Sequence, residues 1–309
     1  MATLQQARPK SLAVAPIASW QPPFNVRAGA TLSKGTMWLS ALSAYAFLWM
    51  PIVLLILFSF NDSSSLTHFK GFSLQWYEKL FDGALGRAGA FSSRIMLEAL
   101  SKSLYVGFFA TLISTAIGTL VAISLARGAF KGRRLLDGIL FFPLIIPDVT
   151  QAFSLALFFK LAFDFVEASG GTRFTSGMGT IIIGHVAFNI SYVALIVRAR
   201  IADMNPRYEE AAADLGASAW QAFWRVTFPL LLPGIVAGGL LAFTMSLDDF
   251  IVSFMLSGVG TSTLPVYVQS TIKEGLSPEV NAISTLMMVL SMVFVAISLR
   301  LQSTRSRMG

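Results

Sequence analysis

The chain has 309 residues, of which 55% are hydrophobic and only 13% charged, with a mean hydropathy of +0.68 and a net charge of +7. Soluble domains average about 25% charged residues, so this composition belongs to a membrane protein. The absence of cysteine excludes a disulfide framework and a thiolate metal site.

Residues 1–36 are polar and proline-rich, with Pro9, Pro16, Pro22 and Pro23, and they carry Arg8, Lys10, Arg27 and Lys34 but no acid. A disordered tail is expected there. A targeting peptide is the alternative. The prolines spoil an amphipathic helix, however, and the apolar run that follows is too long for a signal core. Six apolar stretches come next, at about 37–60, 100–126, 138–162, 179–199, 229–256 and 280–301. Each approaches the roughly 20 residues that span a bilayer as a helix. The expected fold is all-α with six membrane helices over 37–301, followed by a short tail at 302–309. The polar segment 61–98 has room for short surface helices near residues 75–81, but no soluble domain fits anywhere. The two halves share no spaced pattern, which weighs against an inverted-repeat secondary transporter.

Charge gives an orientation. The tail, the loop 127–134, the stretch 198–225 and the C-terminal end together hold fifteen of the 23 basic residues, all on one side if six segments alternate. The other eight basic residues are matched by eight acids. Both termini are therefore expected in the cytoplasm. The net charge reports topology rather than a binding surface, and nucleic acid is not a partner.

Three acids fall within the apolar stretches: Asp148, Asp248 and Asp249. An acid facing lipid costs a few kcal/mol, so each is expected to face protein or a wet cavity. Asp148 follows Pro143 and Pro147, whose missing donors loosen a helix. Asp248 and Asp249 are neighbours, about 100° apart on a helix, and are expected to do different jobs. With no lysine or arginine placed in the segments to neutralise them, the three acids suggest an electronegative path for a cation. Phe243, Phe250 and Phe254 could add ring faces for ammonium groups, or simply packing bulk. An aspartyl protease pair lacks its flexible glycine setting. His68 and His185 are too far apart in sequence and topology for a metal site, and His185 reads as a packing or hydrogen-bonding residue or a minor contributor to the path. No phosphate-binding loop is present, so the chain binds no ATP itself.

The stretch 205–229 interrupts the apolar pattern with helix signals of its own. Asn205 suits a cap, Pro206 a first turn, Gly216 a helix end and Ser218 a second cap. A helix, a glycine turn and a second helix are expected, with small alanines that permit close docking.

The run EAAADLG from Glu210 to Gly216, followed after nine residues by VTFP ending at Pro229, resembles the coupling loop of bacterial ABC importer permeases. It departs only at Val226 and Phe228, where isoleucine and leucine are common. SFNDSS, FKGFSLQWYEKL, IIPDVTQAFSLALFF, HVAFNISYVALIVRARIADM, LAFTMSLDDFIVSFMLSG, TLPVYVQS and SPEVNAISTL extend the resemblance over 37–301, toward the second permease subunit of the polyamine (spermidine/putrescine) branch. The resemblance implies a type I ABC importer permease fold. It also implies a homologous permease partner, an ATPase dimer that uses the ATP, an extracytoplasmic solute-binding protein, and alternating access. Glu210, Ala211, Ala212 and Gly216 would couple to the ATPase, and Asp148, Asp248 and Asp249 would line the substrate path. Import of another small solute, such as an amino acid derivative or metal complex, is the alternative within the class. A self-contained transporter or channel is the alternative outside it, opposed by the docking loop.

Overall fold

The computed structural model describes residues 26–63, 65, 68–85, 91–272 and 278–303. Among these there is no strand, only a single bridge between Asn61 and Phe72. The chain divides after Leu54 into two units. Helix α1 (Val26–Ser59) begins within the expected disordered tail. Ala28, Ala30 and Leu32 favour a helix, and no proline follows Pro23 until Pro51, so the helical pattern extends back to Val26. The rest of the tail, and residues 304–309, lie outside the described residues.

In the second unit the helices are α2 (Gln75–Ala84), α3 (Phe91–Arg127), α4 (Arg133–Ile145), α5 (Asp148–Ala168), α6 (Met178–Ala202), α7 (Arg207–Asp214), α8 (Ala219–Ala222), α9 (Phe228–Asp248), α10 (Ile251–Leu256), α11 (Leu264–Ile272) and α12 (Pro278–Ser303). A π-helical turn, Phe223–Thr227, joins α8 to α9. Six of the described helical runs are long and apolar enough to cross a bilayer: Lys34–Ser59, Ser93–Arg127, Asp148–Ala168, Met178–Ala202, Ala219–Asp248 and Pro278–Gln302.

Two of the expected stretches are broken. The third does not run through 138–162. Pro147 forces the residue before it out of helical geometry, and Ile146 is extended at ψ 136°. The crossing helix is therefore α5, with Asp148 as its first residue rather than an interior one. The fifth stretch stops at Asp248, because Asp249 is extended at ψ 124°, and the chain resumes as α10. Asp248 and Asp249 thus do not share one helix.

The core is set by close approach of α3, α6 and α9. A Cβ at Gly118 would lie 2.9 Å from the Val193 Cβ and 3.0 Å from the Ile190 carbonyl oxygen, so only glycine allows α3 and α6 to meet there. Helix α12 packs along α9, and α10 packs on α5. Helix α2, expected at the surface, buries Trp76 and Leu80 in a cluster with Met96, Leu264 and Ile283. The loop before it winds around Asn61. The Asn61 side chain donates to the Ser65 and His68 carbonyls and accepts from the Lys70 amide, while its own carbonyl accepts from the Trp76 indole at 2.7 Å. On α5, Val149, Phe153, Leu157, Leu161 and Phe165 recur every four residues and are exposed. Such an i+4 ridge is continuous along the helix but winds slowly around it.

Candidate functional site

The loop of 205–229 folds as its sequence dictates. The Asn205 side chain accepts from the Arg207 amide at 3.1 Å. Glu209 and Glu210 occupy the first turn of α7, at the positive end of its dipole. The helix closes with Gly216 at φ +83°, a backbone geometry that favours glycine. The Gly216 amide donates to the Ala213 carbonyl at 2.8 Å and the Ala217 amide to the Ala212 carbonyl at 3.0 Å, satisfying two orphan acceptors. Ser218 then caps α8 reciprocally. Its hydroxyl accepts from the Gln221 amide, and the Gln221 side chain accepts from the Ser218 amide. Glu210, Ala211 and Gly216 are exposed and Ala212 is half-buried. Beyond the turn, Leu215 is 89% and Trp220 70% exposed, large apolar groups held out at a polar corner.

Glu209 faces the other way. Its carboxylate accepts from the Arg127 guanidinium at the end of α3 and from the Thr227 hydroxyl at the start of α9. In the sequence Glu209 reads only as an acid at the head of a helix and Arg127 only as a charge that reports topology, and Thr227 carries no role at all. Glu209 sits beside the motif glutamate, about 100° around the helix, and that offset was the available signal.

At the α9/α10 break the two adjacent aspartates part company. Asp249 turns inward. One of its oxygens accepts from the Ser253 amide at 2.7 Å and lies 3.2 Å from His185 Nε2, and the other accepts from the Val252 amide at 3.4 Å. It therefore caps α10 and ties it to α6. His185 is fully buried and also lies 3.1 Å from the Ser253 hydroxyl. One turn along α6, buried Asn189 donates to the Ser246 hydroxyl at 2.8 Å. The spacing of His185 and Asn189, four apart on one face, could have revealed this polar seam.

Asp248 turns outward. It is exposed and lines a cavity of about 660 Å³ between α9, α11 and α12. Apart from Thr244, Ser284, Ser291 and Asp248 itself, its walls are apolar, with Leu264, Val268, Met287, Met288 and Met292 among them. The Ser291 hydroxyl donates to Asp248 at 3.4 Å, a long bond that leaves the carboxylate able to take a stronger donor. Asp148 does not line this cavity. It stands exposed at the head of α5, where a smaller cavity of about 240 Å³ in the elbow with α4 is lined by Pro143, Ile146, Thr150, Gln151 and Ser154. The three acids therefore have three separate surroundings.

Basic residues do occur within the predicted stretches, contrary to expectation. Lys102 lies on α3 and Lys160 on α5, but Lys160 pairs with Asp164 one turn away at 2.8 Å rather than with any of the three acids. Phe243 packs edge-on against Phe294, and Phe250 stacks on Phe254 at 5.5 Å.

Residues 104–307 match the family of binding-protein-dependent transport system inner membrane components. The chain belongs to this family. It is 37% identical over 254 residues to the spermidine/putrescine transport system permease protein PotC of Haemophilus influenzae, covering 82% of this chain and 91% of that one. It is 36% identical over 248 residues to the putrescine transport system permease protein PotI of Escherichia coli K12, covering 80% and 83%. Among solved structures it resembles a bacterial ABC transporter involved in import of the acidic polysaccharide alginate, with a TM-score of 0.65, 17% identity, and coverage of 90% and 96%. The fold is that of an ABC importer permease, and the chain is a transport subunit rather than an enzyme.

Proposed function

We propose that this chain is a permease subunit of an ATP-driven importer of polyamines, putrescine or spermidine. The named relatives support the cargo class, and the observation that carries it within this chain is Asp248. It sets one carboxylate at the edge of a cavity walled by methionine, leucine and valine. A polyamine is a string of ammonium groups joined by methylene spacers. One ammonium would meet the carboxylate while the spacer lies on the apolar wall. A single exposed acid binds such a cation weakly enough to release it. The fold alone does not choose the cargo, since a similar scaffold serves an acidic polysaccharide.

In this reading both termini and α7–α8 face the cytoplasm, as the basic residues indicate. The chain pairs with a homologous permease, and an extracytoplasmic binding protein delivers the solute. ATP is bound and hydrolysed by a dimeric ATPase, and this chain holds no cofactor. Glu210, Ala211, Ala212 and the Gly216 turn form the face that seats in the ATPase, and its closure drives alternating access. Asp248 is the principal cargo contact and Asp148 a second one. Asp249 serves the path by holding the α9/α10 break in shape.

The test is uptake of labelled putrescine by the assembled complex in vesicles with ATP inside. ATP-dependent uptake, displaced by unlabelled spermidine but not by a neutral or acidic solute of similar size, is expected. Uptake that amines fail to displace would overturn the cargo assignment.

A further inference from the structure

We infer that Glu209, and not only the outward face of α7, is a coupling residue: it is the joint that passes movement of α7 to the membrane helices. This rests on the docking of α7 to an ATPase proposed above. The chain already connects α7 to α6 and, through α8 and the π-turn, to α9. It gives α7 no link to α3, whose last residue lies 82 positions earlier. Glu209 supplies that link. A single carboxylate oxygen accepts from Arg127, which ends α3, and from Thr227, which ends the π-turn. Thr227 is buried, and the Glu209 and Arg127 side chains are 30% and 37% exposed, so the joint is partly shielded from water. Helices α3 and α9 pack against each other and both against α6, so a pull at this point reaches the core of the bundle. Among the described residues, no other side chain of α7 bonds to a membrane helix. Beside the joint a cavity of about 310 Å³ opens between α7, α8 and the π-turn, lined by Ala213, Ala217, Ala222 and Phe223. Helix α7 packs on α8 and the π-turn and not closely on α3, so the polar joint is what fixes α7 to α3.

A residue that only stabilised the fold would lower transport and ATP hydrolysis together. A coupling joint changes their ratio. In the complex with its ATPase, Glu209→Ala should insert and co-purify with the ATPase normally, hydrolyse ATP at the wild-type rate or faster, and move about tenfold less amine per ATP, a change typical of coupling between distant sites. Glu209→Gln keeps an oxygen acceptor for Thr227 but not the charge for Arg127, and should fall between the two. Exchanging the charges, with Arg127→Glu and Glu209→Arg together, should restore part of the ratio. An unchanged ratio of amine to ATP in Glu209→Ala overturns the proposal. Should that variant fail to insert, Arg127→Gln carries the same test, and an unchanged ratio there overturns it equally. Failure of the underlying reading looks different: the wild-type chain itself would neither bind an ATPase nor show ATP-dependent uptake.

Discussion

Two apolar stretches of this chain are broken beside an aspartate, and the two breaks are built in different ways. Between α4 and α5 the break is made by the backbone. Pro147 removes a donor and forces Ile146 to extend, so the structure asks nothing of the neighbouring carboxylate. Between α9 and α10 there is no proline at the break. There a carboxylate makes the geometry: Asp249 caps α10 and is held by a buried histidine from α6. An acid in a membrane segment is therefore not a pathway residue by virtue of position alone. Its bonds decide whether it is scaffold, like Asp249, or open to a solute, like Asp248 and Asp148.

The contrast is broken most strongly at Asp249. Asp249→Ala removes a helix cap and leaves buried His185 and the Ser253 amide without their acceptor, at a cost of about 2–4 kcal/mol. Thermal unfolding of the purified protein should show a clearly lowered midpoint. A variant as stable as the wild type would mean that the second break, like the first, does not need its acid.

The seam that receives α10 gives a smaller effect. A Cβ at Gly184 would fall 2.3 Å from the Leu256 Cδ1 and 2.9 Å from the Val252 Cγ1. Gly184→Val should push α10 off α6 and destabilise by about 1–3 kcal/mol, the usual range for overpacking. It should also lower uptake, because Asp248 lies directly across the break from α10, the helix that this contact positions. Unaltered stability would show that α10 is not pinned there.

The smallest effect belongs to the first break. Asp148→Asn should lower stability by no more than about 0.3–1 kcal/mol, the loss of one charge from the positive end of the α5 dipole. Uptake of amine should fall modestly at the same time. A large loss of stability would give Asp148 the structural duty that Pro147 is argued to perform.

Much of this was legible in sequence. The six crossing helices, the caps at Asn205 and Ser218 and the turn at Gly216 follow from residue types whose physics is local. The α4/α5 break is also local, since a proline pair announces it, and only its strength was underestimated. The α9/α10 break was not legible. No glycine or proline marks it, and it depends on His185, more than sixty residues away, reaching Asp249. The joint at Glu209 escaped for the same reason: its partners Arg127 and Thr227 come from two other parts of the chain.

The most direct test of the account is uptake of labelled putrescine by the assembled complex carrying Asp248→Asn. An ammonium–carboxylate contact is worth about 1.5–3 kcal/mol, so uptake at limiting amine should fall by roughly tenfold or more, with insertion, thermal stability and ATPase assembly unchanged. Wild-type uptake in that variant would contradict the assignment of Asp248 as the cargo contact.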